Sequence, residues 1–213
     1  MKYLSLLVLF IFVSCGNKED ILLPKSNVTI VKDIQDHSPI YIFFRTKDKD
    51  TLAEVNRKSS IISTNWIFNI DKRLPLRLVI PEIMKLQEKK RNEKAHKNEA
   101  AENYYSYADS IGKNLAFIAF TEVYYKLERP KSSFVVFFKK DNSIWVNDVK
   151  IKREFLNQFL VQFVKKTDTN SNKISLRFDK NMSFGNYIQN KIFVRNLSFP
   201  KSKLSISGQE FVY

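Results

Sequence analysis

The chain has 213 residues, with 36 Lys and Arg against 22 Asp and Glu for a formal charge of +14, and it carries 18 Phe, 9 Tyr, two His, four Gly and one Cys. At 44% hydrophobic and 27% charged it has enough apolar and aromatic surface for a core, which excludes an intrinsically disordered chain. One Cys excludes an internal disulfide framework and a Cys-based metal site, and neither G-x-G-x-x-G nor G-x-x-x-x-G-K-[ST] occurs.

The N-terminus comes first. Met1-Lys2 is a short basic start, and Tyr3 to Val13 is an apolar run broken only by Ser5. A spanning helix needs about 20 apolar residues, so this run matches the core of a secretory signal instead. It ends Phe12-Val13-Ser14-Cys15-Gly16, which resembles the lipobox of bacterial lipoproteins, where acylation falls on the Cys and cleavage just before it. Phe12 stands where Leu is usual, a departure that the relaxed lipoboxes of Bacteroidetes tolerate. Cys15 is therefore the expected lipid attachment, residues 1–14 the signal peptide and residues 15–37 a lipid-anchored linker. Lys18-Glu19-Asp20 resembles the surface-export signal of such lipoproteins. The expected location is the cell envelope, on the outer membrane, at its periplasmic or its outer face.

Further along, the chain sets against itself at an offset of 108 residues. Ile67 to Leu76 falls on Ser175 to Phe184, with Asp71-Lys72 on Asp179-Lys180. Ile42-Phe43-Phe44-Arg45 is similar to Val136-Phe137-Phe138-Lys139, and Ile118 to Tyr125 to Ile206 to Tyr213, with Glu122 on Glu210. Each half reads as strand, helix, strand, helix, strand, which makes the fold class α+β. In the first half Pro81 suits a first helical turn, and Glu82 to Ser110, free of Gly and Pro, predicts one long helix with a charged middle. Polar residues around Pro130 mark a boundary, giving a first unit at 38–128 and a second at 133–213. In the second half Phe134–Lys139 and Ile144–Val146 predict a hairpin across Asp141-Asn142. Apolar residues from Ile151 to Phe163 recur at helical spacing, Ile174–Phe178 reads as a strand, Phe184–Val194 as a helix and Leu204–Val212 as a final strand.

A strand, then Asp-Lys, an apolar-Pro/Ser-apolar link and an apolar-faced helix resembles the periplasmic domain of the ExbD/TolR biopolymer-transport family. The match is strongest over Ser133 to the terminal strand and fainter over Ser38 to Tyr125. It implies two tandem small units of sheet plus helices, domains that pair (here also as a homodimer), and work beside an envelope channel protein or on peptidoglycan. Family members carry a membrane-spanning helix with an Asp used in proton coupling. Tyr3–Ser14 is too short and has no acid, so proton coupling is not expected.

Asp71 and Asp179 are the family-motif positions. A carboxylate between a strand and a helix caps the helix or the turn before it, so both read as structural, with ligand contact as the alternative. His37 and His96 lack companions for a metal site, and no nucleophile or acid–base constellation is found, so no enzyme, metal or cofactor is expected. Lys outnumbers Arg 27 to 9 and is scattered, as in an AT-rich genome, so nucleic acid is not an expected partner. Trp66, Trp145, Tyr104, Tyr105, Tyr107, Tyr124 and Tyr125 could together line a glycan platform, which supplies the alternative function of a surface-exposed glycan- or nutrient-binding lipoprotein. Three tyrosines within Tyr104–Tyr107, on a helix, could not all face one core.

Overall fold

The computed structural model describes residues 20–95, 97–131, 134–166, 172–198 and 204–213. Cys15, Lys18-Glu19, His96 and Ser133 lie outside the described residues. The elements in order are β1 (Lys25–Ser26), β2 (His37–Lys47), β3 (Asp50–Asn56), β4 (Asn65–Ile70), α1 (Leu76–Asn92), β5 (Asn103–Asp109), β6 (Asn114–Ala119) and β7 (Tyr124–Lys126). There follow β8 (Val135–Phe138), β9 (Ile144–Val146), β10 (Val149–Ile151), a 3-10 turn at Arg153–Phe155, α2 (Leu156–Lys166), β11 (Asn172–Phe178), α3 (Phe184–Arg195) and β12 (Leu204–Val212). Two six-stranded mixed sheets and three helices make the described chain α+β.

In the first sheet the order is β3-β2-β4-β5, with β1 and β6 both on β5; in the second it is β10-β9-β8-β11-β12-β7. β2, β4 and β5 run parallel, as do β8, β11 and β12, and in each sheet the first of the three is hairpinned to its successor in the chain. Pairing shifts the sequence match by two residues. Ile42 faces Ile70 and Phe138 faces Phe178, so Phe138, not Val136, holds the place of Ile42. A shift of two keeps every side chain on its own face of the sheet, which is why the pattern alone tolerated it.

The long helix expected over Glu82–Ser110 is not formed. α1 stops at Asn92, and Asn103–Asp109 is a central strand between β4 and β6. Three tyrosines favour a strand here, and β5 satisfies its backbone on both sides, through the hairpin with β6 and the parallel pairing with β4. β5 therefore takes the place beside β4 that β12 takes beside β11, so β6 is not the counterpart of β12. Nor does a helix connect β3 to β4. The serine-rich stretch Arg57–Thr64 turns instead through Ser60 N–H to Arg57 O and Thr64 N–H to Ile61 O.

One apolar core cluster joins both halves. α1 buries Leu76, Val79, Ile80, Ile83 and Leu86 at helical spacing and packs on β3 as well as on β7 and β12 of the other sheet. β7, inside the expected first unit, pairs in parallel with β12 of the second sheet. The expected linker is packed chain from Asp20 onward: Lys25–Ser26 adds a strand to β5, Val31 exchanges hydrogen bonds with Phe117, and Ile34 is buried.

The halves meet at the turns before α1 and α3. Leu76 N–H donates to Met182 O (2.9 Å), and Phe184 N–H donates to Leu74 O (2.8 Å). Arg77 N–H donates to Lys180 O (2.8 Å), and Gly185 N–H to Lys72 O (3.0 Å). Each bond in a pair is the other moved by 108 positions in both directions, around an antiparallel bridge between Pro75 and Ser183. Such reciprocity is the pattern of a contact about a two-fold axis.

Candidate functional site

Asp71 and Asp179 both end a strand and both hold the turn that follows. Asp71 Oδ1 accepts from Arg73 N–H (3.0 Å), and Asp179 Oδ1 from Asn181 N–H (2.8 Å). Helix capping proper falls elsewhere: Ser183 Oγ accepts from Asn186 N–H (3.2 Å), and Pro75 occupies the same place before α1. Asp71 does more. It is fully buried, takes a bidentate pair from Arg73 at 2.9 and 2.7 Å, and accepts from Leu22 N–H at 3.3 Å. Burial pushes its carboxyl up, and the Arg73 and Leu22 hydrogen bonds outweigh that, leaving it below its ordinary value. Between the two turns a cavity of about 390 Å³ is lined by Arg73, Arg77 and Lys140 among others.

The expected aromatic platform does not assemble. β5 alternates, so Tyr105 and Tyr107 point into the core while Tyr104 lies on the other face, where its hydroxyl donates to Glu102. Trp66 is buried beneath α1, Tyr124 stacks on Arg91 at 4.1 Å, and Trp145 lies on the second sheet. Three of the tyrosines instead form a chain through the core. Tyr105 and Tyr125 hydroxyls meet at 2.6 Å, Tyr125 and Tyr187 at 2.9 Å, and Tyr187 donates to Glu210 Oε2 at 2.6 Å. Lys191 pairs with the other oxygen of Glu210. Burial, joined by the nearby Glu210, raises all three phenols well above their ordinary range. Glu122, matched to Glu210 by sequence, is exposed.

Lys90 is a second buried charge. Its ammonium donates to Thr64 O (2.9 Å), Glu102 O (3.3 Å) and Asn103 Oδ1 (3.1 Å), and lies over the Trp66 ring at 4.9 Å. This ties the end of α1 to the strands beneath it. Burial pushes its pKa down to about 8. A folded-state value below the unfolded one means that the unfolded chain binds the extra proton between pH 8 and about 10.5, so stability from this group rises with pH across that window. Comparing wild type with Lys90→Met by urea unfolding, the difference is expected to move about 2 kcal/mol toward wild type between pH 7 and 9.5. A pH-independent difference would refute the assignment.

A cavity of about 600 Å³ opens on the outward face of the second sheet. β8, β9 and β11 turn Val136, Phe138, Ile144, Val146, Leu176 and Phe178 inward. On the opposite face Trp145, Phe137 and Arg177 stand side by side, because Phe137 is directly paired with both of the others. The Arg177 guanidinium lies 3.8 Å from the centre of the Phe137 ring and 3.7 Å from that of Tyr213. Lys139 lies 3.8 Å over Trp145, and Arg129 lies 5.6 Å from the Tyr213 ring. Asn147 and Asp148, both at positive φ (45° and 68°), make the two-residue turn from β9 to β10 at its rim. Arg177 Nε is buried without a hydrogen-bond partner, and burial lowers this guanidinium from its usual value.

The cleft thus combines cationic groups, aromatic walls and one carboxylate, Asp148. Of its residues, sequence reasoning had singled out only Trp145. The available signal was Phe137 at an outward position of an alternating strand and Arg177 in the middle of the apolar run Ile174–Phe178. No helix among the described residues is long and apolar enough to cross a membrane. Compared with known proteins, the chain matches no family model, no curated protein and no solved structure.

Proposed function

We propose that the protein is a non-catalytic lipoprotein of the cell envelope, anchored through Cys15 to the outer membrane and acting, without proton coupling, as an accessory scaffold. In this reading its two halves are tandem ExbD/TolR-like units joined in one chain, and they contact an envelope protein or peptidoglycan. The observation that carries it is the reciprocal backbone exchange between Lys72–Arg77 and Lys180–Gly185, in which two stretches of one sequence pattern meet as partners in a pair. The shared order of parallel strands and the two Asp-held turns support the same duplication.

The test has two parts. Intact mass of the protein from its own membranes is expected to match residues 15–213 plus acyl chains, and Cys15→Ala to abolish the acyl mass. Affinity capture with ExbB- or TonB-like proteins, or cosedimentation with cell wall, is expected to enrich the chain in at least one assay. An uncleaved, unacylated chain removes the anchor, and no enrichment in either assay removes the scaffold.

The cation-lined cleft favours a second reading, a surface-displayed lipoprotein that captures a glycan or nutrient. That reading requires digestion by external protease on whole cells, and full protection would reject it.

A further inference from the structure

We propose that the cleft on the second sheet is a site for paired carboxylates joined by a short apolar spacer, which deepens the ligand-capture reading and rests on it only for the place of binding. Arg129, Lys139 and Arg177 all line this cleft, and none of their side chains makes an ion pair or hydrogen bond to a protein group among the described residues. Asp148 is the one acid at its rim. Three cations against one lining acid, with Asp179 also near Arg177, leave an excess of positive charge that favours an anionic ligand.

Arg177 decides the geometry. Its guanidinium carbon lies 3.8 and 3.7 Å from the centres of the Phe137 and Tyr213 rings, which fixes the group in place, and the parallel N–H groups along its edge fit a carboxylate bidentately. Its buried Nε has no acceptor, a cost that the protein bears for holding the group in place without occupying it. Lys139, stacked on Trp145, supplies a second point of positive charge. Phe137, Trp145 and Tyr213 between these charges make apolar walls suited to a spacer, and about 600 Å³ is the size of a small-ligand site.

Phosphate is the poorer fit. Many phosphate sites add backbone N–H groups of a helix N-terminus to their Arg fork, and every residue lining this cleft comes from a strand or a loop. Carboxylates of this kind could come free, as a small dicarboxylate, or from acidic side chains of a peptide.

Calorimetric titration of the full chain in detergent at pH 7, with glutarate, with an acetyl-Glu-Leu-Glu-amide peptide and with inorganic phosphate, separates these. Saturable binding of one carboxylate probe is expected, with phosphate at least tenfold weaker. Arg177→Lys keeps the charge and loses the fork, and is expected to weaken binding at least tenfold. Lys139→Gln, whose side chain lies on the open face, is expected to weaken it several-fold with an unchanged thermal midpoint, so the proposal stays testable if the Arg177 variant folds poorly. Tighter binding of the peptide assigns a protein segment as the source, and glutarate bound as tightly or more tightly assigns a free metabolite. No saturable binding of either probe, phosphate bound as tightly, or unchanged affinity in both variants overturns the proposal. Whole-cell protease digestion is untouched by that failure, so it reports on the capture reading separately.

Discussion

Replacing Glu210 with Ala is expected to lower the unfolding free energy by about 3–5 kcal/mol, because it removes one partner of a buried ion pair and leaves the other uncompensated. Lys191 is only 14% exposed, and Glu210 is its partner. The same carboxylate ends the chain of hydroxyls from Tyr105 through Tyr125 and Tyr187, so its loss also leaves a buried hydroxyl without an acceptor. These residues come from β5, β7, α3 and β12, which places the chain between the two halves. Tyr187→Phe alone is expected to cost about 1–2 kcal/mol. In a double-mutant cycle Glu210→Ala and Tyr187→Phe should couple by at least ~1 kcal/mol, since each removes the same bond. Urea unfolding of the four proteins measures this, and additive effects would show that the chain does not act as a unit. Alkaline pH gives a second measure. The three phenols have raised folded-state values, so the stability they contribute is present below the unfolded value near pH 10 and is lost as pH climbs above it.

The two motif aspartates should differ sharply. Asp71→Ala is expected to cost about 2–4 kcal/mol and Asp179→Ala less than about 1 kcal/mol, although both hold the same kind of turn. Arg73 is 46% exposed, so the ion pair itself contributes modestly. Most of the loss comes from emptying the buried place of the carboxylate and releasing at once the donors that converge on it, the N–H groups of Arg73 and Leu22 and the Arg73 guanidinium. Asp179 is only partly buried and holds one backbone N–H, which water can take over. Acid provides the companion test. The Asp71 carboxyl lies below its ordinary value, so its contribution is complete above the unfolded pKa near 4 and is lost as pH falls through the folded one. Wild type should therefore lose more stability than Asp71→Asn as pH falls below 4. Equal losses in the two alanine variants would mean that burial at Asp71 counts for nothing.

How legible these features were depends on the range of the interactions behind them. The hairpin Val135–Val146, the strand Ile174–Phe178 and the helix beginning at Phe184 were all readable, since each follows from an apolar period and a turn within about a dozen residues. Asp71 and Asp179 were readable as turn residues for the same reason. Asn103–Asp109 was not. The charged, Gly-free run before it continues the helical pattern of α1 and hid the local signals of a hairpin, the tyrosines themselves and the turn at Gly112, while its place beside β4 depends on a strand more than 30 residues away. Once it is a strand, the three clustered tyrosines need no interface to explain them, because alternation sends two inward and one out. Residues 20–37 read as linker because their anchors, such as Thr29 on Asp109 and Val31 on Phe117, lie about 80 positions away.

By itself the sequence determined the class of the fold, the turns before the two long-faced helices and the equivalence of those turns at one fixed offset, all of them matters of local pattern. Tertiary structure alone decided that the equivalent turns clasp each other, that Glu210 ends a buried chain of tyrosines while its sequence match Glu122 is exposed, and that Arg177 lies between two rings in a charged cleft. Period and propensity carry no information about which distant strand a residue will face, and each of these features depends on that alone.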